Sequence, residues 1–210
     1  REFGFAFPAG ADTVRPATLA ALEDGDNDIP MALRHALAGL LDQIAACQEA
    51  MAAIEKQLAD IAKLDTRCQR LMAASGVGLI TATALSAGIG DFARFPSGRH
   101  FASALGLTPR EYSSGGTRKL GRITKQGDVF LRTLLIHGAR SALIVAATAR
   151  KRGQPLDRTQ QWALALAERK GHNKAAVALA NKVARRLWAS EHHGTSFDPE
   201  HISRREPRAA

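Results

Sequence analysis

Residues 30–66 read PMALRHALAGLLDQIAACQEAMAAIEKQLADIAKLDT, and this stretch decides the fold. Nine apolar residues recur in it at alternating spacings of four and three: Leu33, Leu37, Leu40, Ile44, Cys47, Met51, Ile54, Leu58 and Ile61. Such a heptad repeat is typical of a long helix with one apolar seam. The repeat predicts a coiled-coil helix over 30–66, which joins copies of the chain or acts as a spacer arm. A long helix inside a globular bundle is the alternative.

The next apolar stretch is interrupted by a turn of two glycines. Residues 71–74 and 79–85 are helical in composition, and Gly76 and Gly78 lie between them. This layout predicts a helix-hairpin-helix, in which the amides at the start of the second helix are open to a phosphate. Gly76, Gly78 and Thr81 are therefore predicted phosphate contacts.

The rest of the chain predicts a mainly α fold, with a compact all-helical domain over 67–190. Capping residues and apolar spacing place further helices at 97–105, 128–152, 157–170 and 172–190. Within the helix at 128–152 we expect Phe130, Leu134, Ala142 and Val145 to face inward. No strand is predicted. Residues 1–29 form an N-terminal segment with a short helix near 15–23, and residues 191–210 are expected to be a flexible tail.

Charge is distributed unevenly along the chain. Its 29 Lys and Arg and 20 Asp and Glu give a net charge of +9. Residues 1–65 hold 5 basic and 11 acidic residues, whereas residues 110–186 hold 17 basic and 4 acidic ones. A strongly basic half indicates a polyanionic partner, and nucleic acid is the commonest such partner.

Other classes of protein are disfavoured. Cys47 and Cys68 have no neighbouring His or Cys at metal-ligand spacing, so neither a zinc site nor a disulfide is predicted. No metal site is expected in this chain. No apolar run reaches the length of a membrane span and no signal peptide is seen, so we expect a bacterial cytoplasmic protein without a membrane partner.

The segment 107–124 is expected to be a polar loop, and long loops inside compact domains tend to be functional. Ser114 precedes two glycines, which favours an exposed hydroxyl. Five cations surround it in sequence: Arg110, Arg118, Lys119, Arg122 and Lys125. Such cations stabilise charge that develops on phosphate oxygens, so the pattern fits a nucleophilic serine. It also fits a loop that only holds the DNA backbone.

Four further cations are predicted to contact phosphates: Arg132, Lys182, Arg185 and Arg186. The last three lie on the helix at 172–190, with Lys174, opposite apolar positions that include Val177 and Leu187. Two enzyme classes are excluded by motif. The sequence around Ser114 is not the Gly-x-Ser-x-Gly elbow of α/β-hydrolases, and Gly76 to Gly78 lacks the lysine of a phosphate-binding P-loop.

Several of these motifs, in this order, resemble one family. They are Gly76-Val77-Gly78, Gly90-Asp91-Phe92, Phe101 to Arg110, Tyr112 to Gly116, and Lys125 to Asp128 with Leu131-Arg132. Together they resemble the insertion-sequence transposases related to the Piv pilin-gene invertase, which are bridge-RNA-guided recombinases. The resemblance covers about residues 70–190, with the heptad helix as the coiled coil that precedes them. Ser75 is a departure, since the family often has proline there.

The resemblance implies a division of labour. Such proteins join an N-terminal RuvC-like domain, which binds Mg²⁺ through carboxylates, to a coiled coil and a C-terminal transposase domain. That last domain supplies a serine that attacks DNA, and the family pattern places it at Ser114, with Ser113 as the second choice. Tyr112 would position or stack, although a tyrosine nucleophile stays open. DNA, a guide RNA and further copies of the chain are the implied partners.

The resemblance also implies a missing part. The carboxylate-bearing domain is not found in this sequence, so we expect no cofactor here and no recombination by this chain alone. Two other functions stay open on residue chemistry. One is a non-catalytic DNA- or RNA-binding module that uses the hairpin and the basic helices. The other is a structural protein that assembles through its coiled coil.

Overall fold

The structure is a computed structural model that describes residue 6 and residues 9–198. Contacts divide the chain into two compact units, Arg1–Gln57 and Leu58–Ala210. The described residues form eight α-helices, a single 3₁₀ turn at Phe92–Arg94 and a two-stranded sheet. The helices are α1 Ala11–Glu23, α2 Met31–Leu64, α3 Thr66–Met72, α4 Leu79–Ile89, α5 Gly98–Ala104, α6 Val129–Lys151, α7 Arg158–Lys170 and α8 His172–His193. The strands are β1 Pro109–Glu111 and β2 Leu120–Ile123. A mainly α fold is confirmed.

In the first unit, hydrogen bonds link α1 to α2, and Arg15 on α1 donates to the side-chain oxygen of Gln48 on α2 at 3.4 Å. The guanidinium of Arg34 on α2 fixes the connection, because it donates hydrogen bonds to the backbone carbonyls of Leu22 and Asp24 at 2.9 and 2.8 Å. The heptad seam is left largely uncovered beyond this contact, since Leu40, Ile44, Met51, Ile54 and Ile61 are all exposed. At about 1.5 Å per residue, α2 is about 50 Å long.

The second unit is built around α8. Its alanines Ala175, Ala176, Ala180 and Ala184 are fully buried, and their small side chains allow α5, α6 and α7 to approach closely. Its end is fixed by the indole of Trp188, which donates to the carbonyl oxygens of Phe92 and Phe95 at 3.1 and 3.0 Å. Phe101 packs against both phenylalanine rings. This is the core of the second unit.

Local capping explains where the helices begin. The carboxylates of Asp65, Asp128 and Asp157 accept hydrogen bonds from the first-turn amides of α3, α6 and α7. Asp157 forms a full capping box with Gln160. Capping signals of this kind are local, so they can be recognised in the sequence. The structure confirms the predicted helices at 97–105, 128–152, 157–170 and 172–190.

The C-terminal end of α8 extends past its predicted boundary. Residues from 191 onward were expected to be flexible, yet Glu191 is inside the helix with its side chain only 4 % exposed. Its carboxylate lies 3.0 Å from Arg70 and 3.4 Å from Arg67, both on α3. The ion pairs tie the last turn of α8 to α3.

The predicted inward face of α6 was wrong for Phe130 and Val145, which are exposed, whereas Leu134 is half-buried and Ala142 packs against the core. The buried positions are Leu131, Arg132, Leu135, Ala139, Leu143 and Ala146. The helix carries apolar residues on several sides, so apolar spacing alone does not choose its buried face. Contrary to the expectation from sequence, α6 is long and apolar enough to cross a membrane. In this structure 33 % of its most apolar 18-residue stretch is buried, and the helix packs against α4, α7 and α8.

Candidate nucleic-acid interface

The segment predicted as a loop is a β-hairpin, so the expectation of an all-helical domain without strands was wrong. Strands β1 and β2 pair antiparallel, with Pro109 opposite Ile123 and Glu111 opposite Leu120. The pairing continues to Ser114 and Thr117, which exchange backbone hydrogen bonds. Gly115 and Gly116 between them have φ of 55° and 77°. Two residues with positive φ are the requirement of a type I′ turn, which glycine meets without strain.

The two serines differ in their surroundings. The hydroxyl of Ser113 donates to a carboxylate oxygen of Glu111 at 2.6 Å and accepts from the amide of Lys119 at 3.1 Å. The backbone of Ser114 is held by Thr117, and the described residues offer no hydrogen bond to its hydroxyl. Ser113 is therefore engaged inside the hairpin. The Ser114 hydroxyl is presented to solvent at a corner whose backbone is fixed.

Tyr112 lies beside Ser114 on the hairpin. Its amide donates to the carbonyl of Lys119 at 2.8 Å, and its ring covers Gly121, where an added Cβ would lie 2.9 Å from the ring. Because side chains alternate along a strand, Tyr112 and Ser114 share one face. Tyr112 is 59 % exposed.

Cations dominate the surface of the hairpin. Arg118 is 74 % exposed and lies 4.0 Å from Glu111, a distance at which an exposed pair contributes little. Arg110 donates to the carbonyl of Thr124 at 3.4 Å. Lys119, Arg122 and Lys125 are exposed as well. The structure thus gathers the five predicted cations around a single hairpin.

Arg132 does not face solvent as its predicted phosphate contact requires. It is 7 % exposed, and its guanidinium donates to the carbonyl oxygens of Leu105, Asp128 and Gln126 at 3.2, 3.4 and 3.5 Å. These carbonyls belong to the end of α5 and to the segment after β2. Arg132 therefore fastens the base of the hairpin to the helical core.

Glycines close the same junction. A side chain at Gly106 would overlap the backbone of Gln126, and one at Gly127 would overlap the carbonyl of Ala104. The amide of Lys125 also donates to the carbonyl of Gly106 at 3.2 Å. The hairpin therefore projects from a tightly packed base, which sets its direction.

The turn between α3 and α4 uses its glycines differently from the prediction. Gly76 has φ of 83° and packs against Gly138 of α6, where a side chain on either residue would overlap the other's backbone. Gly78 has open space around it at the start of α4, and Thr81 is buried. Gly76 therefore serves close helix packing, and the helix-hairpin-helix stays a prediction.

A second basic surface is a groove of about 1220 Å³ beside α8. Lys182, Arg185 and Arg186, three of the predicted phosphate contacts, line it. So do residues not predicted as site residues: Arg99, Arg158, Trp162 and Lys174. Pro109 and Ile123 at the base of the hairpin line it too, so the two surfaces are continuous. We call it the α8 groove.

Burial and like charge act on the cations of the α8 groove. Burial lowers the pKa of Lys182, and the neighbouring Arg186 lowers it further. The Lys182 ammonium lies 4.2 Å from the centroid of the Trp162 ring. Burial and Arg99 lower the pKa of Arg185. Arg186 donates to the hydroxyl of Thr159 at 2.6 Å. Val177, predicted on the apolar face of α8, lines this groove as well.

Carboxylates are scarce at the hairpin, whereas at the α8 groove the charge of Asp157 acts on Lys182 and raises its pKa against the effect of burial. Within residue 6 and residues 9–198, no three His, Cys, Asp or Glu side chains come together as a metal site would require. Glu111 is the acidic residue of the hairpin, and its neighbours are cations. The donor set around Ser114 therefore does not fit Mg²⁺, which prefers several oxygen ligands.

The chain is similar to known transposases. Residues 68–154 match the model of the transposase family IS116/IS110/IS902. A probable family 20 transposase of Pseudomonas aeruginosa is 41 % identical over 189 residues, which are 88 % of this chain and 54 % of that protein. The transposase for insertion sequence element IS1111A of Coxiella burnetii is 36 % identical over 189 residues, which are 90 % of this chain and 50 % of that protein. The transposase for insertion sequence element IS1328 of Yersinia enterocolitica is 33 % identical over 196 residues, which are 93 % of this chain and 56 % of that protein. The chain thus spans about half the length of these relatives.

Proposed function

We propose that the chain is the C-terminal region of a transposase, which binds DNA through its hairpin and the α8 groove and attacks a DNA phosphodiester with Ser114. The observation that carries this proposal is the position of Ser114. Its hydroxyl stands exposed at the turn of a hairpin that is rigidly based and surrounded by cations. The similarity to transposases supplies the reaction class.

The step is a transesterification. The Ser114 Oγ attacks phosphorus, an Oγ–P bond forms, and the bond from phosphorus to one deoxyribose oxygen breaks. The hydroxyl proton leaves Ser114 and the departing deoxyribose oxygen gains a proton, so the number of phosphodiester bonds is conserved. Lys119 and Arg118 flank the turn and would stabilise the negative charge on the phosphate oxygens. Tyr112, on the same strand face as Ser114, would position the sugar or base.

We propose that other components supply the remaining parts of the reaction. We expect an N-terminal RuvC-like domain that binds Mg²⁺ and a guide RNA that selects the DNA. Because the residues around Ser114 do not fit a metal, no step is assigned to one here, and the chain alone is expected to be inactive. The exposed seam of α2, with Leu40, Met51 and Ile54, would join copies into a dimer or tetramer.

A transposition assay in bacterial cells tests this function. The chain is joined to the N-terminal part of its Pseudomonas relative and supplied with that relative's element. Ser114→Ala should reduce transposition to background. Thr117→Ala is the matched control, since this exposed residue lies directly opposite Ser114 across the same turn and should keep activity. Full transposition by Ser114→Ala would remove the serine from the reaction.

A second function is supported by the α8 groove: a nucleic-acid-binding module without chemistry of its own. It predicts that only removal of cations has an effect. Under this alternative Arg118→Ala combined with Arg122→Ala abolishes transposition, while Ser114→Ala does not. The serine variant therefore separates the two functions.

A further inference from the structure

The α8 groove carries strong positive charge in a recess. Six of its lining residues are cations, and none is a carboxylate: Arg99, Arg158, Lys174, Lys182, Arg185 and Arg186. Cations that crowd together in a half-buried site repel one another, and an anion relieves that repulsion. A groove of about 1220 Å³ exceeds what one small anion needs. The charge and shape together fit an extended polyanion.

One aromatic ring in the groove differs from the other. Trp188 is fixed, because its indole donates two hydrogen bonds to backbone carbonyls and its ring stacks on His192. Trp162 is 36 % exposed, and the ammonium of Lys182 lies over its ring. A ring beside clustered cations is the arrangement by which proteins hold unpaired nucleotides, since the bases stack and the phosphates pair with the cations.

We propose that the α8 groove binds a single strand of DNA, with one unpaired base stacked on Trp162 and the adjoining phosphates held by Lys182 and Arg185. In a duplex the base faces are stacked on one another, so a recessed ring has no base to contact. The base would take the place of the Lys182 ammonium on the ring, and that ammonium would move to a phosphate.

The path of the strand favours DNA as the occupant. Pro109 and Ile123 of the hairpin base line the groove, so a strand that leaves it passes to the hairpin that bears Ser114. The inference deepens the proposed function and rests on its DNA-binding part. The choice of DNA over RNA rests on the hairpin that bears Ser114, whereas the binding of a single strand in the groove does not depend on whether Ser114 is the nucleophile.

Fluorescence anisotropy on the 210-residue chain tests the proposal. The probes are a labelled oligothymidylate of about 16 nucleotides, oligouridylate of the same length, and a DNA duplex. Trp162→Leu should weaken oligothymidylate binding by about 5- to 100-fold, the loss expected from one stacked base. Trp162→Phe should recover most of the affinity, and the duplex should change less than about twofold. Unchanged circular dichroism and melting temperature show that each variant folds.

The cations are tested by the salt dependence of binding. Lys182→Ala with Arg185→Ala should reduce the slope of log affinity against log salt by about 1.4, the value for two phosphate contacts on a single strand. Arg169→Ala with Lys170→Ala removes two exposed cations that do not line the groove, at the end of α7. That control should leave the slope unchanged.

The outcomes separate the inference from the proposed function. The proposal for the groove is overturned if Trp162→Leu does not change the affinity for oligothymidylate, or if it weakens duplex binding equally. It is also overturned if the chain binds oligouridylate more tightly than oligothymidylate. No binding to any probe overturns the groove and the DNA-binding part of the function together. Ser114→Ala should bind oligothymidylate as the wild type does, so a failure of the serine chemistry leaves the groove standing.

Discussion

Arg132 gives the sharpest test of how the hairpin is held. Arg132→Met keeps the length and helix preference of the side chain but removes its hydrogen bonds to the carbonyls of Leu105, Asp128 and Gln126. A hydrogen bond from a charged group contributes about 1.5–3 kcal/mol. The bond to Leu105 is the shortest of the three, and the other two are near the limit of useful length, so we expect a loss of about 3 kcal/mol.

The assay is thermal unfolding of the chain followed by circular dichroism. For a domain of this size a loss of about 3 kcal/mol lowers the melting temperature by about 6–12 °C. Arg118→Met is the matched control, because that side chain is 74 % exposed and its distance to Glu111 is 4.0 Å. It should change stability by less than about 0.5 kcal/mol. An Arg132→Met protein with the melting temperature of the wild type but weaker DNA binding would refute the anchoring role. That result would support the phosphate contact that the sequence predicted for Arg132.

Three further predictions concern packing, pH and assembly. Gly138→Ala should destabilise the chain by about 2 kcal/mol or more in urea unfolding, because its Cβ overlaps the backbone of Gly76, whereas Gly39→Ala in open space on α2 should stabilise by about 1 kcal/mol. Equal effects would contradict the close approach of α6 to the turn at Gly76. Hydrogen bonds from Ser86 and Cys68 lower the pKa of Asp65 to about 2. The contribution of Asp65 to the free energy of unfolding is therefore complete above about pH 4 and is lost as the pH falls toward 2. Asp65→Asn should make the free energy of unfolding depend less on pH in this range, and an unchanged dependence would contradict the role of Asp65. Ile54 on the seam of α2 is 56 % exposed, and Ile54→Glu should convert oligomers to monomers in light scattering. A wild-type chain that is already monomeric would contradict a paired seam.

The helices could be read from the sequence because their signals are local. Asp128 and Asp157 each cap a helix that begins one residue later, and the heptad spacing of α2 needs no partner to be recognised. The buried face of α6 could not be read in this way. Leu131 and Phe130 are both apolar, and only packing against the neighbouring helices decides which of them is buried.

The hairpin was missed although a signal was present. Its strands are short and nearly all of their residues are exposed, so they lack the apolar alternation by which strands are found. Gly115-Gly116 was the available signal, since two glycines between short segments favour a type I′ turn. The sequence analysis took these glycines only as a sign that the Ser114 hydroxyl is exposed, whereas in the structure they also form the turn that fixes the backbone at Ser114.

The candidate site was predictable in part for a similar reason. The cations of the hairpin are close in sequence and could be gathered from spacing alone. The α8 groove draws Arg99 from α5 and both Arg158 and Trp162 from α7, and only the packing of these two helices on α8 brings them together. Arg132 has the same charge as its neighbours, and nothing in its sequence shows that it turns inward.

The most direct measurement identifies the residue that becomes joined to DNA. The chain, joined to the N-terminal part of its Pseudomonas relative, is incubated with labelled donor and target DNA, guide RNA and Mg²⁺, and the denaturation-resistant protein–DNA adduct is digested and mapped by mass spectrometry. We predict a phosphodiester on Ser114 that is lost in Ser114→Ala and kept in Ser113→Ala. An adduct on Ser113 or Tyr112, or strand exchange without any adduct, would contradict the assignment of Ser114 as the nucleophile.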